Sequence, residues 1–205
     1  MNAPMSLRKP GPVPKDQWTE ESIRVIRAGA SGSYVTRFLS DGPDHQRPPN
    51  GLTVFMNHPA LGEAWLNYNS VLLRDPALPP RERELIILRV AWLTRQDYEW
   101  LQHNRVAARW GMSREEIEAI AEGPTAANWS PLDSALLRAT DEMLDHHRID
   151  DDTWARLTDH LDDRQLFEVP FTIGTYTLLA MVFNSFDLEV DPELSDVPAP
   201  PLPSR

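Results

Sequence analysis

Cysteine is absent from all 205 residues of this chain. That removes disulfides, iron–sulfur clusters, thiolate zinc sites and every reaction that runs through a sulfur nucleophile. Basic residues are scarce beside acidic ones, 20 against 31, for a formal charge of −11. Nucleic-acid binding needs clustered Lys and Arg against phosphate, and an anionic membrane surface repels such a chain, so neither partner is expected. No apolar run reaches the roughly 20 residues of a membrane span. The opening residues, Met1 to Pro10, hold no apolar segment of a secretory signal. A cytoplasmic location is the simplest expectation. Missing too are GxGxxG, the P-loop and HExxH, which leaves nucleotide and zincin readings without support. No stretch alternates cleanly with period two.

Proline, by contrast, is plentiful and gathers at the ends. Pro4, Pro10, Pro12 and Pro14 lie in residues 1–15, and Pro192, Pro198, Pro200, Pro201 and Pro203 in residues 191–205. These segments are expected to form neither helix nor central strand, and to be disordered or extended on a neighbour. Residues 40–50 read as a loop. Residues 16–190 read as one all-α domain, a bundle of about eight helices. Thr19, Pro59, Pro79-Pro80, Ser113, Ser130, Asp150 and Asp162 mark helix starts, and Gly111 marks a stop. Residues 85–93 and 166–183 are apolar nearly all round, which suits the centre of a bundle or a subunit interface.

The chemistry-bearing residues gather between Glu84 and His103. Glu84 is the one acid of a near-continuous apolar run and stands at its start, just before Leu85–Leu93. Past a polar turn, Glu99 and His103 stand four apart on one helical face. Two helices joined by a tight connection pack antiparallel, which can bring Glu84 to His103. A carboxylate among apolar walls has its charged form disfavoured, and beside an imidazole it can fix a tautomer or exchange a proton. Tyr98 and Trp100 could stack on a planar substrate. Arg81, Arg83 and Arg89 are candidates to hold a substrate carboxylate through paired bonds.

This segment resembles the carboxymuconolactone decarboxylase family, which includes the alkylhydroperoxidase-D-like proteins. The likeness starts near His58-Pro59 and is clearest from Leu78 to Ile120. It rests on Leu78-Pro79-Pro80-Arg81-Glu82-Arg83-Glu84-Leu85, on Ala91-Trp92-Leu93, on Tyr98-Glu99-Trp100 with His103, and on Gly111-Met112-Ser113-Arg114-Glu115-Glu116-Ile117. The peroxidase branch carries a glutamate, a Cys-x-x-Cys pair and a histidine four residues after the second cysteine. Laid on this chain, those positions fall on Glu84, Gln96, Glu99 and His103. Thiol peroxidase activity therefore does not carry over. What the resemblance implies is an alkylhydroperoxidase-D-like fold and a cofactor-free lyase or proton-transfer enzyme acting on a carboxylated lactone or other small acidic cyclic metabolite. His103, Glu84 and Glu99 would be its catalytic residues. Tyr98, Trp100, Arg89, His58 and Gln96 would line the substrate. It also implies a homo-oligomer, a trimer or hexamer, with sites near subunit interfaces.

Plainer roles compete. Glu84 and Glu99 could each complement a helix dipole. His58 suits a helix cap, and His146-His147 a helix C-terminus; no metal is expected there or elsewhere. The Asp150–Asp152 and Asp162-Asp163 runs lack the spacing of a calcium loop and suit capping. A protein that binds a small ligand without turning it over, or one that serves only in an assembly, is the rival functional class.

Overall fold

A computed structural model describes residues 9–195 and 197. Among them are ten α-helices, three short 3-10 turns and no strand. The helices are α1 (Glu20–Gly29), α2 (Ser33–Leu39), α3 (Asn50–Thr53), α4 (Pro59–Arg74), α5 (Pro80–Thr94), α6 (Asp97–Arg109), α7 (Arg114–Ala119), α8 (Pro131–His146), α9 (Asp151–Thr158) and α10 (Asp163–Phe186). The chain forms two compact units. One comprises the described chain up to Ser70 with Phe183–Glu189; the other comprises Val71–Val182 and the described chain from Val190.

Local chemistry explains most helix ends. Thr19 and Ser22 cap α1 reciprocally, as Ser113 and Glu116 do for α7 and Ser130 and Asp133 for α8. Each pair satisfies two backbone N–H groups that a helix start leaves unpaired. Proline opens α5 and α8 at a position where no N–H is needed. The two short helices α2 and α3 go beyond the eight expected, and α3 begins at the end of the segment read as a loop.

In the first unit, Val25, Ile26, Phe38, Leu52, Met56 and Leu66 form a buried core, with Trp18, Phe55 and Trp65 packed against it. Phe55 and Trp65 stack at 4.8 Å. A Cβ at Gly29 would meet the end of the Leu52 side chain, so Leu52 would have to shift to admit a larger residue there. The described part of the N-terminal segment lies on its own unit: the Val13 N–H donates to the Thr53 carbonyl at 3.4 Å and the Trp18 indole to the Val13 carbonyl at 3.0 Å. Residues 1–8 fall outside the described residues.

In the second unit α5 is the central element. Every residue from Arg83 to Ala91 is buried, and α6 and α8 both pack on it. Leu85, Ile86, Ile87 and Leu88 are wholly inaccessible, each contributing about 1.5–3 kcal/mol of transfer free energy. The C-terminal segment departs from expectation in its first residues. Pro192–Leu194 forms a 3-10 turn, Leu194 is buried, and Asp191 accepts hydrogen bonds from Tyr98 and Gln102, both at 2.8 Å. A proline at the first position of a turn gives up no hydrogen bond, so its presence did not exclude one. Helix α10 runs unbroken through Pro170 and is long and apolar enough to cross a membrane, although more than half of its apolar window is buried within the chain. The sequence reading had found no such run, because Glu168 interrupts it.

Candidate acid–base site

Helices α5 and α6 are joined by only Arg95 and Gln96. Arg95 takes the left-handed conformation that ends α5, and the Gln96 side chain accepts the Tyr98 N–H at 2.7 Å to start α6. A connection this short turns the chain back on itself. It places Glu84, in the second turn of α5, against His103, in the second turn of α6.

His103 Nδ1 lies 2.6 Å from Glu84 Oε2. Glu84 is fully buried, while the His103 side chain keeps 17% of its accessibility. The carboxylate can only accept in this pair, so Nδ1 carries the proton and Nε2 is left as the reactive nitrogen. The other Glu84 oxygen, Oε1, accepts from Arg83 Nη2 at 3.2 Å and Nε at 3.4 Å. Arg83 Nη1 in turn donates to the Leu72 carbonyl at 3.2 Å. A buried carboxylate thus has its charge matched by a buried guanidinium, the condition under which such a pair persists away from water. The Tyr176 ring meets the His103 ring edge-on at 5.1 Å. Burial first, then the nearby Glu84 and Glu99 carboxyls, push the Tyr176 phenol far above its ordinary range. It therefore serves as a neutral wall and a potential donor.

Glu99 is one helical turn before His103 and is buried, with neither carboxyl oxygen hydrogen-bonded among the described residues. Burial raises its pKa well above the usual carboxylate range. Burial thus favours the protonated, uncharged form of the group. The two glutamates therefore differ: Glu84 is charge-matched, whereas nothing offsets the burial of Glu99. Neither is a surface residue complementing a helix dipole.

Other expected site residues have different partners. Arg89 is not open to a substrate: Nε and Nη2 hold Asp141 at 2.6 and 2.9 Å, Nη1 donates to the Ile120 carbonyl at 2.6 Å, and the guanidinium lies 4.8 Å from the Trp92 ring. Arg81 pairs with Asp133 and Glu116. Tyr98 directs its hydroxyl to Asp191, Gln96 is a helix cap, and Trp100 is wholly inaccessible. The Arg89, Arg81, Tyr98 and Gln96 groups named here are engaged within the chain, whereas the buried Trp100 indole N–H has no hydrogen-bond partner among the described residues. His58, in the other unit, accepts the Leu61 N–H at 3.3 Å as a helix cap. Arg83 was weighed only as a clamp for substrate, and Tyr176 was not singled out. Its one sequence signal is a phenol within the apolar run of α10. A cavity of about 670 Å³ in the same unit, lined by Leu93, Thr94, Leu144, His146, Thr177 and Met181 among others, includes none of the Glu84, Glu99, His103 or Tyr176 side chains. Among the described residues no cluster of three potential metal ligands occurs.

Residues 59–142 match the model of the carboxymuconolactone decarboxylase family. The fold is shared with the alkylhydroperoxidase AhpD core of an uncharacterized peroxidase-related protein from Ralstonia eutropha JMP134, at TM-score 0.68 and 16% identity over 92% of this chain and 96% of that one. It is shared as well with the debrominase Bmp8 in its apo form, at TM-score 0.68 and 14% identity over 90% and 93% of the two chains. The same debrominase in complex with 2,3,4-tribromopyrrole gives TM-score 0.67 and 13% identity over 92% and 95%. At these identities the likeness is one of fold. No curated protein matches the chain.

Proposed function

For a chain whose residues 59–142 match the model of the carboxymuconolactone decarboxylase family, we propose a cofactor-free lyase or proton-transfer enzyme acting on a small cyclic acid, with His103 as the proton carrier. The observation that carries this reading is the 2.6 Å contact between His103 Nδ1 and the buried, charge-matched Glu84. It orients the ring, fixes the tautomer and leaves Nε2 as the working atom.

In the decarboxylating form, the substrate enters as a carboxylate and His103 as an imidazolium. The bond between ring carbon and carboxylate breaks, carbon dioxide leaves, and the electron pair spreads into the conjugated carbonyl of the substrate. The proton on Nε2 passes to carbon. His103 ends neutral with its Nδ1–H still on Glu84, and regains a proton through its exposed edge. With Glu84 balanced by Arg83 and burial favouring the uncharged form of Glu99, a proton on His103 adds positive charge to the site, which favours an anionic substrate. A substrate carboxylate therefore meets the imidazolium rather than Arg89. Glu99 supplies a second proton within one turn of α6. A neighbour of this fold with bromopyrrole bound supports a planar ring as the ligand shape.

The test is turnover of a carboxylated muconolactone in deuterated water, followed by ring absorbance and by deuterium bound to carbon in the ring product. His103→Gln, which keeps a donor for Glu84, should lower kcat by about 10²–10⁴ while the fold survives. Full activity in that variant would remove His103 from the chemistry. Binding without turnover by the unsubstituted chain would instead favour a ligand-binding protein.

A further inference from the structure

The cavity of about 670 Å³ in the second unit is bordered by the C-terminal ends of α5 and α8 and by the second half of α10. Its volume is that of a site for a small molecule. Leu93, Leu144 and Met181 give it apolar walls. Thr94 and Thr177 line it too, but each hydroxyl spends its proton on its own helix, Thr94 on the Val90 carbonyl at 2.7 Å and Thr177 on the Ile173 carbonyl at 2.8 Å. A hydroxyl so committed offers only lone pairs. The carbonyls of Leu93, Leu144 and Asp145 accept no backbone hydrogen bond among the described residues. They lie in the last turns of α5 and α8, where two helix dipoles end negative. The Asp141, Glu142 and Asp145 side chains line the same space, and among the described residues no Lys or Arg does. Arg89 balances Asp141. Glu142 accepts from the Asp150 N–H at 2.9 Å and the Thr153 hydroxyl at 2.7 Å, and has no cation partner among the described residues. His146 turns its ring nitrogens to Asp145 and Asp150, at 3.6 and 3.1 Å. Of the side chains that line the cavity, His147 alone is left to offer a donor.

We propose that this cavity binds a small primary ammonium ion carried on an aromatic or alkyl group. An ammonium has three donors and no acceptor, the inverse of what these walls present. Its charge is favoured by the Glu142 and Asp145 carboxylates and by the two helix C-termini. Its apolar body lies against Leu93, Leu144 and the adaptable Met181. A carboxylate or a carbonyl would bring acceptors to acceptors and leave both sides without partners. The acid–base site has the opposite preference, since a protonated His103 favours an anion. None of the Glu84, Glu99, His103 or Tyr176 side chains lines the cavity, so the ammonium site differs from that one in place and in charge.

Methionine methyl groups report on this cavity directly. Met143 and Met181 line it, whereas Met56 and Met112 are buried elsewhere. In the full chain with isotope-labelled methionine methyls, phenethylammonium should shift the Met143 and Met181 resonances and leave those of Met56 and Met112 in place. Hydrocinnamate, similar in shape and opposite in charge, should bind there at least about tenfold more weakly. Thr94→Val combined with Thr177→Val keeps the shape and removes two acceptors, and ammonium affinity should fall about tenfold. Asp145→Asn, at a side chain that is 89% exposed, should lower it about threefold. Met143 and Met181 resonances that stay still at millimolar phenethylammonium, equal affinity for the two probes, or affinity unchanged in both variants would overturn the proposal. Should the double valine variant fail to fold, Asp145→Asn and the comparison of the two probes decide. None of these readouts involves turnover, so a His103 without catalytic function would leave them intact.

Discussion

Replacing Glu99 with glutamine isolates the energetic consequence of a buried, unbonded carboxyl. In the folded chain burial raises the Glu99 pKa well above 4.5, whereas in the unfolded chain the group titrates near its ordinary value. The folded state therefore binds the Glu99 proton more tightly. Its stabilising contribution is complete below the unfolded pKa and is lost as pH rises, until the folded group ionises. Over that window the loss is about 1.4 kcal/mol for each pH unit. For a chain of this size that corresponds to roughly 3–6 °C in Tm per unit. Glu99→Gln has the same shape, stays neutral at every pH and loses this slope. Its buried amide adds an unsatisfied donor, at a cost of about 1–3 kcal/mol, but that offset does not vary with pH. The assay is Tm against pH from 4 upward for both chains, plotted as a difference. The difference should shift toward the variant with rising pH. Parallel curves, or a shift toward the unsubstituted chain, would show that Glu99 ionises normally in the fold and refute the burial argument.

Glu84→Gln should be far more damaging, because it leaves the Arg83 guanidinium buried with an uncompensated charge; a loss of about 3–5 kcal/mol in chemical denaturation is expected. A change under 1 kcal/mol would mean that Arg83 and Glu84 do not depend on each other. Arg89→Lys should cost about 2–4 kcal/mol, since an ammonium cannot hold both Asp141 oxygens and the Ile120 carbonyl at once. Because Arg89 braces α5, α8 and the Ile120 turn and faces no ligand, KM for any substrate found should stay within a factor of about two. A large rise in KM with unchanged stability would return Arg89 to the substrate.

Residues whose partners lie close in sequence were legible in it. The Ser113–Glu116 and Ser130–Asp133 boxes are three residues apart, and both helix starts fell where these pairs put them. The Glu84–His103 contact spans nineteen residues, yet a two-residue turn between two helices leaves the chain one way to fold back, so it too could be anticipated. The partners of Arg89 are not legible, for the opposite reason. Its partners Ile120 and Asp141 lie 31 and 52 positions away, and an arginine on an apolar helix gives no local sign of whether a ligand or a carboxylate of its own chain will meet it. Tyr176 reaches His103 from α10, and nothing within α10 encodes that approach. The short helices α2 and α3 lack the side-chain caps that mark α1, α6, α7 and α8, so their starts left no such signal.

Gln96 and Glu99, the positions that the resemblance lays on a thiol pair, have a physical consequence beyond the absence of redox chemistry. A thiol pair moves electrons and needs an exposed, polarised sulfur to do so. Here the first position is a backbone cap, with the Gln96 side chain on the Tyr98 N–H, and it secures the turn that aligns α5 with α6. The second is a carboxyl without a hydrogen-bond partner among the described residues, in surroundings that favour its protonated form. Glu84 and His103 remain in contact across that turn. The arrangement holds an oriented imidazole and, one turn away, a carboxyl that favours its protonated form, so what it can exchange with a bound molecule is protons. A buried carboxyl without hydrogen bonds is costly in a site that only fills space, and Leu or Met at position 99 would avoid that cost. If Glu99→Leu raises stability at neutral pH while removing turnover, the carboxyl is there for the reaction; if it raises stability and leaves turnover intact, Glu99 has no part in it.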